Sequence, residues 1–532
     1  MNYGFIIDNR KCIGCHACTV ACKSEHDVPL GVNRTWVKYI EKGLYPDTQR
    51  IFSVTRCNHC ADAPCVEICP VTSLFSRADG IVDFDGERCI GCKSCMQACH
   101  YDALYIDPAT HTSAKCNYCA HRVDLGLEPA CVIVCPVHAI VSGDMDDPKT
   151  EIAHLLAREQ VTVRRPEKHT RPKLFYIKGD EAALTPDDAP PRADYYASVQ
   201  DAGVGHFAAS AALAAMPDGP EARTRILGIR PQALEAAAEE VRRASAPPPR
   251  RTYDAPAKGV LWDWEVSGYL WTKSIAAGAL FLPLLLAVLG LVELPLRLEK
   301  GLGWISLLFL GATGALLVKD LDRPERFLYV LLRPQWRSWL VRGAYLISGF
   351  GALSFLWVLH LHFGAGRLAW LEGVLVVLGA LTAVYTAFLL AQAKGRDMWQ
   401  SPVLPVTMLV QSAMAGSAVL LLLGILADHG PARTAAVAGL AVTLVLHLLL
   451  LAAEFTMPHV TGDAARAARL IWRGPLRLPF WSAVLLGNVL PLLLLAVGGN
   501  GLMDLPVVIL VLTFALVLEH VWVRAPQLIP LR

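Results

Sequence analysis

Long apolar runs fill the second half of the chain and are missing from the first half. Eight stretches of membrane-spanning length follow residue 260, centred near Leu282, Leu310, Leu353, Leu381, Val419, Val445, Val489 and Val511. About 20 consecutive apolar residues are enough to cross a bilayer as a helix. Eight such runs in succession are not expected in the core of a soluble protein. The pattern therefore predicts an all-α membrane domain with eight transmembrane helices over residues 261–532.

The residues before the first apolar run divide into two parts. Every cysteine lies before residue 136, which marks residues 1–180 as one cysteine-rich domain. Residues 181–260 are rich in Pro and Ala and predict a linker. Within it, residues 232–244 (QALEAAAEEVRRA) combine strong helix formers with early glutamates and late arginines, which predicts one short helix.

The sixteen cysteines form four runs of four. These runs are Cys12, Cys15, Cys18, Cys22; Cys57, Cys60, Cys65, Cys69; Cys89, Cys92, Cys95, Cys99; and Cys116, Cys119, Cys131, Cys135. The first and third have the spacing C-x2-C-x2-C-x3-C that is typical of 4Fe-4S ferredoxins. Zinc, the alternative, typically takes two separated C-x2-C pairs. Because no run has lost a cysteine, we expect four 4Fe-4S clusters and no three-iron variant.

Three stretches carry a family resemblance. CNHCADAPCVEICPVTS, CIGCKSCMQACHYDAL and CNYCAHRVDLGLEPACVIVCPVHAI resemble the iron-sulfur subunits of dimethyl sulfoxide, polysulfide and formate oxidoreductases, over about residues 1–180. The resemblance implies an α+β double-ferredoxin fold and a nested pairing of runs. It pairs Cys12, Cys15 and Cys18 with Cys135; Cys116, Cys119 and Cys131 with Cys22; Cys57, Cys60 and Cys65 with Cys99; and Cys89, Cys92 and Cys95 with Cys69.

Basic residues flank the cysteine runs at Lys11, Lys23, Arg88 and Lys115. Positive charge near a cluster can raise its reduction potential. Lysine and arginine are also ordinary surface residues. We expect these four to form a solvated basic rim.

The charges between the apolar runs predict the topology. With a cytoplasmic N-terminus, the inside loops and C-terminal tail hold 14 Lys and Arg residues and the outside loops hold 4. The first residues, MNYGFIIDNRKCIGC, have neither the regions of a signal peptide nor a twin arginine. We therefore expect a multi-pass protein of the inner, cytoplasmic membrane whose iron-sulfur domain faces the cytoplasm.

The membrane half carries a second resemblance. The stretch KDLDRPERFLYVLLRPQWRSWLVRGAYLI, with GYLWTKSIAAGA, AVYTAFLL and FWSAVLLGNVLPLLLL, resembles the NrfD and polysulfide-reductase membrane-subunit family. This resemblance implies a quinone-reacting subunit without heme. His447 is the one histidine deep in a predicted span, and a b-type heme would need a second axial ligand opposite it. His360 and His520 lie near opposite ends of other spans, so no heme is expected.

Quinone chemistry takes two electrons and two protons, which requires polar groups near the last cluster. Ionisable residues inside a span are costly and therefore functional candidates. Our quinone candidates are Lys273, Asp320, Arg323 and Tyr385. Their alternatives are structural: Lys273 can snorkel, Arg323 can hold topology, Asp320 can pair with that arginine, and Tyr385 can simply pack. Glu454, Glu519 and His520 are candidates for proton supply.

These features predict an oxidoreductase subunit that transfers electrons between a cytoplasmic catalytic partner and the quinone pool. The resemblance implies a molybdopterin-type partner that holds the primary substrate site. A redox-driven proton or ion translocator, fed by another donor such as a cytochrome, is the alternative, with Glu293 as its far-side candidate; a passive membrane anchor is a third. The net charge of +2 indicates no nucleic-acid partner, and no nucleotide-binding fingerprint occurs in a strand-turn-helix context.

Overall fold

The computed structural model describes residues 1–43, 47–189, 249–255, 258–364, 367–498 and 504–531. The helix expected over residues 232–244 lies outside these ranges. The predicted fold class is confirmed: a small α+β domain precedes a helical domain of membrane-spanning helices.

Short strands and helices build the cysteine-rich domain. Its strands are β1 (Tyr3–Asp8), β2 (Thr35–Lys42), β3 (Gln49–Arg56), β4 (Leu74–Ser76), β5 (Val82–Phe84), β6 (Leu104–Ile106), β7 (Ser113–Lys115), β8 (Ile140–Asp144), β9 (Val161–Thr162), β10 (Leu174–Ile177) and β11 (Arg250–Tyr253). Its helices are α1 (Ala17–Glu25), α2 (Pro64–Ile68), α3 (Ser94–Ala98), α4 (Ala120–Val123), α5 (Ala130–Ile133), α6 (Glu151–Arg158) and α7 (Glu181–Leu184).

One sheet supports the outer cysteines. Its strand order is β8-β1-β10-β9, with β1 parallel to β10 and antiparallel to β8. Phe5 and Ile7 of β1 pack in one core with Cys18 and Cys131. A second sheet, β11-β2-β3, is antiparallel, and β4-β5 and β6-β7 are two-stranded. Cysteines of the outer runs are therefore packed against the apolar side chains of the first sheet.

Both described ends of the predicted linker pack on the cysteine-rich domain. The Ser53 hydroxyl donates a hydrogen bond to the Ala183 carbonyl, and Lys38 forms an ion pair with Asp187. On the other side of residues 190–248, β11 pairs with β2. The boundaries at residues 180 and 260 stay a prediction, to which the structure adds that residues 181–189 and 249–255 contact this domain.

In the described part of the chain, eight helices are long and apolar enough to cross a membrane, as predicted. They are α8 (Trp264–Val288), α9 (Leu296–Lys319), α11 (Trp339–Phe363), α12 (Ala369–Gln392), α13 (Leu404–Leu426), α14 (Gly430–Thr456), a seventh built from α16 (Arg477–Val484), a π-helical turn (Leu485–Val489) and α17 (Leu490–Val497), and α18 (Leu505–Arg524). The short helices α10 (Tyr329–Leu332) and α15 (Gly462–Trp472) lie between spans.

Helix α8 lies at the centre of the membrane domain and packs against α9, α12, α13 and α18. Its contact with α13 is a backbone contact, because a Cβ on Gly278 would lie 2.0 Å from the Ser412 carbonyl oxygen. Small residues permit such close approach between membrane helices, where van der Waals packing drives association. The arrangement holds the polar residues of α8 in the protein interior.

The cysteine-rich domain sits on the face of the membrane domain that carries most of the loop arginines and lysines. Lys394 pairs with Glu67, Lys168 with Asp397, and Arg165 with Asp463. The structure thus places the iron-sulfur domain on the side that the charge count assigns to the N-terminus.

Candidate functional site

The sixteen cysteines come together in space as four sets of four. Neighbouring cysteines interact within each set. Burial, for example, raises the pKa of Cys92 to about 12, and the nearby thiolates of Cys69 and Cys89 act in the same direction. We number the sets from the membrane outward. Site I is Cys69, Cys89, Cys92 and Cys95; site II is Cys57, Cys60, Cys65 and Cys99; site III is Cys22, Cys116, Cys119 and Cys131; and site IV is Cys12, Cys15, Cys18 and Cys135.

Local backbone geometry shapes these sites. Gly14 and Gly91, each in a Cys-Ile-Gly-Cys run, have φ of +70°, a conformation that glycine adopts without steric cost. The backbone N–H of Ser113 donates to the Cys89 sulfur at 3.3 Å, and that of Ala139 to the Cys135 sulfur at 3.2 Å. The sixteen cysteines, all within the described ranges, form no disulfide. Within the described ranges, no three His, Cys, Asp or Glu side chains group closely enough to bind a single metal ion.

The four sites form a row. Sites I and II share two helices, α2 and α3, which pack together. Helix α2 contains Cys65 of site II and is followed by Cys69 of site I, and α3 contains Cys95 of site I and is followed by Cys99 of site II. Sites II and III meet where the Cys57 thiolate interacts with that of Cys116. Sites III and IV meet where the Cys18 thiolate interacts with that of Cys131. The spatial order is therefore I, II, III, IV, with site I at the membrane end.

Site I is the part of the iron-sulfur domain that docks on the membrane domain. The indole N–H of Trp262, just before α8, donates to the Cys92 carbonyl at 3.1 Å. Backbone N–H groups of Asp322 and Arg323 donate to the carbonyls of Gly91 and Ile90. The docked loop leaves no room beyond Gly91, where a Cβ would lie 2.6 Å from the Asp322 Cβ.

A cavity of about 230 Å³ lies between site I and the ends of the spanning helices. Its apolar walls come mainly from α9, α10 and α11. The polar and aromatic side chains that line it are Cys92, Ser94, Trp262, Tyr269, Asp320, Phe327, Ser348 and Tyr385. A cysteine of site I and groups able to hydrogen-bond therefore face one mostly apolar space, as expected of a small-molecule site.

The structure separates the four quinone candidates. Asp320 and Tyr385 line the cavity. Lys273 lies behind Tyr385, with its Nζ 5.2 Å from the ring centroid, and donates to the Ala383 carbonyl and the Thr386 hydroxyl. Arg323 is outside the cavity, where it donates to the Thr110 carbonyl and pairs with Glu325. Arg323 is thus a docking contact between the two domains.

Asp320 is the ionisable group at the mouth of the cavity. It follows the last residue of α9, and its backbone carbonyl accepts a hydrogen bond from Lys93 Nζ at 3.0 Å. Burial raises the pKa of Asp320 to about 7, against the opposing effect of the Lys93 charge. A carboxyl group with such a pKa exchanges protons near neutral pH.

Sequence reasoning missed Tyr269, Trp262 and Lys93 at this site. Trp262 also stacks on Trp399, at 5.4 Å between ring centroids, which anchors the start of α8. A signal for Tyr269 was present, since it stands one helical turn before Lys273 in the stretch GYLWTKS. No local signal could place Lys93 against Asp320, because they are 227 residues apart.

The solvated basic rim expected around the cysteines is wrong for Lys115. Lys11 and Arg88 are exposed, but Lys115 is fully buried. Arg56, which the sequence analysis did not select, is also buried, and its Nη1 donates to the Cys131 sulfur at 3.1 Å. Both lie in the cysteine-rich interior.

A second group of polar side chains lies deeper between the spans. Glu519 lines two small cavities, of about 20 and 10 Å³, and Gln411 lines both as well. Glu454 lines the larger one and accepts a hydrogen bond from Ser401. The larger cavity has room for one water molecule.

His447 and His520 each have polar partners. The His447 ring nitrogens lie 2.7 Å from Asn488 Oδ1 and 3.4 Å from Gln411 Nε2. Asn488 belongs to the π-helical turn of the seventh span. His520 Nδ1 lies 3.2 Å from the Ser267 hydroxyl.

The far face of the membrane domain carries buried acids that the sequence analysis did not select. Glu293, its candidate, is exposed in a connecting segment. Glu299 and Glu372 are instead 2% exposed, and Arg367 pairs with both, at 2.9 and 3.2 Å.

Comparison with known proteins agrees with this architecture. The family model "Polysulphide reductase, NrfD" matches residues 254–526, and two 4Fe-4S dicluster domain models match residues 48–145 and 11–74. The iron-sulfur part is 43% identical over 188 residues to a tetrathionate reductase subunit of Salmonella typhimurium, covering 35% of this chain and 75% of the relative. It is 42% identical over 187 residues to a polysulfide reductase subunit of Wolinella succinogenes, covering 34% and 97%.

A third relative is the arsenate respiratory reductase iron-sulfur subunit ArrB of a Shewanella species, 32% identical over 228 residues, covering 34% of this chain and 97% of the relative. All three relatives are subunits of reductases. Eight apolar helices within the described ranges, together with the family match, identify an integral membrane protein. Because the NrfD model spans just over half of its length, this chain belongs to the polysulphide reductase NrfD family, joined to an N-terminal 4Fe-4S domain of the kind found in reductase electron-transfer subunits.

Proposed function

We propose that this protein passes electrons between a catalytic partner subunit and the quinone pool, through 4Fe-4S clusters held at sites I to IV. The observation that carries the proposal is the cavity in which Cys92 of site I faces Tyr269, Asp320 and Tyr385. An electron carrier and proton-exchanging groups then meet at one apolar space. That combination is what two-electron, two-proton quinone chemistry requires.

The cysteine sets suit four cubane clusters. Each supplies four thiolates, which is the full ligand set of a 4Fe-4S cluster, and backbone N–H groups point at sulfurs of sites I and IV. A bound cluster carries one electron at a time. The order I, II, III, IV provides an unbroken path from the membrane to the opposite end of the domain.

The cavity residues have separate tasks toward a quinone. The apolar side chains of α9 and α11 receive the ring and the start of its tail. Tyr269 and Tyr385 offer hydroxyl groups to the quinone oxygens. Asp320 supplies or accepts a proton, and because its side chain is 14% exposed it can exchange that proton with water beside the iron-sulfur domain.

Lys273 positions Tyr385. Its ammonium group is buried, bonded to α12 at Ala383 and Thr386, and lies near the face of the Tyr385 ring. A cation close to an aromatic face attracts it electrostatically. Lys273 therefore fixes the ring orientation from behind and does not contact the quinone.

The catalytic partner docks at site IV. Cys15 is exposed, and exposed apolar side chains surround it at Ile13, Val20, Ile133 and Val134. Val20 lies on α1 and Ile133 ends α5, and these two helices pack together. Exposed apolar patches of this kind mark protein interfaces. By the family resemblance, the partner is a molybdopterin enzyme.

The orientation follows from the charge bias. The iron-sulfur domain contacts the face rich in Lys and Arg, which is cytoplasmic by the positive-inside rule. We assign the protein to the inner membrane with sites I to IV and the catalytic partner in the cytoplasm.

Filling the cavity tests the quinone proposal. Ala344 lines the cavity on α11, and Gly349 on the same helix has open space around its Cβ position. In the detergent-purified complex, Ala344→Trp should retain its iron and its dithionite-reducible clusters but lose reduction of the clusters by added quinol. Gly349→Trp should behave as the parent protein. Normal quinol equilibration in an iron-replete Ala344→Trp protein would refute the site.

Purification of the intact complex tests the four-cluster electron path and the identity of the catalytic partner. We expect about sixteen irons per copy of this chain, four for each cubane, and a co-purifying subunit that contains a pterin. Multiheme cytochromes in place of that subunit would favour a different electron source.

Redox-driven proton translocation is a second candidate, favoured by the buried Gln411 and Glu519 and the half-buried Glu454, which line one small cavity. Glu299 and Glu372 provide buried acids at the far face. In vesicles with a pH-sensitive dye, Glu519→Gln should stop proton movement while quinone reduction continues. Glu293→Gln, at an exposed position, is the matched control. Equal proton movement in both variants would remove this candidate.

A further inference from the structure

A basic residue stands directly before the first cysteine of every run: Lys11, Arg56, Arg88 and Lys115. The four residues differ in burial. Lys11 and Arg88 are exposed, whereas Arg56 is 2% exposed and Lys115 is completely buried. The two buried cations precede the second and fourth runs, which contribute three cysteines each to sites II and III, respectively. The same position relative to a cysteine run thus leads to two different environments.

Arg56 lies between sites III and IV. Its Nη1 donates to the Cys131 sulfur of site III, and its charge also acts on the Cys18 thiolate of site IV. Its guanidinium carbon is 4.8 Å from the Phe5 ring centroid. Its Nε and Nη2 are buried without a hydrogen-bond partner. In the described part of the chain it forms no ion pair with a carboxylate, so the anions it faces are those of the two sites.

Lys115 lies between sites II and III. Its Nζ donates to the carbonyls of Val82 and Cys116, and Cys116 is a residue of site III. Its charge acts on the thiolates of Cys57 and Cys65 in site II. Site III therefore has a buried cation on each side.

An unpaired buried cation is costly, and it is stabilised only by nearby negative charge. Cysteine-ligated clusters supply that charge, and their reduction potentials depend on the net charge around them and on solvent exposure. Charge–charge interactions are strong in the interior, where the effective dielectric is low. A fixed cation there favours the reduced, more negative form of an adjacent cluster.

We propose that Arg56 and Lys115 raise the reduction potentials of the cluster at site III and of its neighbours at sites II and IV, and thereby keep the middle of the electron path reducible. The inference rests on the proposed four-cluster path. In each step one electron leaves one cluster, which is oxidised, and enters its neighbour, which is reduced. The two cations are neither oxidised nor reduced in these steps; they offset the repulsion between adjacent anionic clusters.

Redox titration of the purified complex, followed by electron paramagnetic resonance, tests this inference. Arg56→Gln should lower the potentials of two clusters by at least about 59 mV, which is a tenfold change in a one-electron equilibrium. Lys115→Gln should lower two potentials by a similar amount. One cluster, site III, should respond to both substitutions, and its shifts should add in the double variant. Arg56→Lys should recover most of the parent potentials.

Lys11→Gln and Arg88→Gln are the matched controls, since each removes an exposed cation from the same position of a run. They should leave all four potentials in place. Iron-replete Arg56→Gln and Lys115→Gln proteins with unchanged potentials would overturn the inference, as would iron loss in both, which would make the cations purely structural. Failure of the four-cluster path itself would look different, because the parent protein would then show fewer than four reducible clusters.

Discussion

Asp320 is the single side chain on which quinone turnover should depend most. Asp320→Asn keeps the shape and removes the exchangeable proton, so quinone reduction by prereduced clusters should fall at least tenfold. General acid–base groups typically contribute about 10²–10⁴-fold to a rate. Asp322→Asn is the control, because Asp322 also pairs with Lys93 but is not among the cavity-lining residues. Equal losses in the two variants would indicate that both act through Lys93.

The same residue should set the pH dependence of the reaction. Burial raises the pKa of Asp320 to about 7, so the group carries its proton below that pH and loses it above. Quinone reduction consumes protons, and its rate should therefore decline as pH rises through about 7. This inflection should be absent from the pH profile of Asp320→Asn. A profile that is unchanged by the substitution would assign the proton to another group.

Single residues also show which chemistry was readable in advance. Cysteine runs are recognisable because cluster binding demands short, regular spacing along the chain. Arg323 was selected for its charge and turned out to hold the iron-sulfur loop through Thr110. Lys115 was expected in solvent and is buried. A charge in a sequence identifies a chemical group, and its surroundings come from residues that are distant along the chain.

The loop that contains Gly91 joins the two domains, and its glycine should be essential for their coupling. In Gly91→Ala the new Cβ would lie 2.6 Å from Asp322, in addition to the cost of about 1–2 kcal/mol for a left-handed alanine. Electron transfer between site I and quinone should fall. Gly126→Ala has a φ of +74° and open space around the Cβ position, so it carries the same backbone cost without the clash. Rapid quinone reduction in Gly91→Ala would contradict the docking.

Helices α8 and α13 depend on small residues where they cross. Gly278→Ala would bring a Cβ within 2.0 Å of the Ser412 carbonyl oxygen, and such overpacking typically costs about 1–3 kcal/mol. The thermal unfolding midpoint of the detergent-solubilised protein should drop. Gly314→Ala, in α9, meets no atom within 4 Å and should leave the midpoint unchanged. Matching midpoints would mean that the helices can separate without penalty.

The existence of these helices followed from the length of each apolar run, because a bilayer requires about 20 apolar residues per span. Which helices pack against one another did not follow from the apolar runs. Helix α8 is surrounded by four other spans, and nothing in its own sequence names them. The π-helical turn in the seventh span, which presents Asn488 to His447, was likewise not foreseeable from the apolar pattern.

At the level of the assembly, the apolar surface around site IV should bind the catalytic subunit. Val20→Glu or Ile133→Glu places a charge in that surface and should reduce co-purification of the partner by at least tenfold. Ser76→Glu, at an exposed position of β4, is the control on the same domain. Iron content should stay constant in all three. If both Val20→Glu and Ile133→Glu retain the partner, the partner binds a different surface of this protein.

The amino-acid sequence determined the two chemistries of this protein and their order along the chain. Both are local properties: cluster binding depends on cysteine spacing, and membrane insertion on the length of apolar runs. The fold decided where the iron-sulfur domain and the membrane domain form a shared site. The cavity joins Cys92, Tyr269, Asp320 and Tyr385, which lie up to 293 positions apart, and the buried positions of Arg56 and Lys115 depend on packing around the cysteine sites. Long-range packing placed them there because a cavity or a buried charge is a property of neighbours in space.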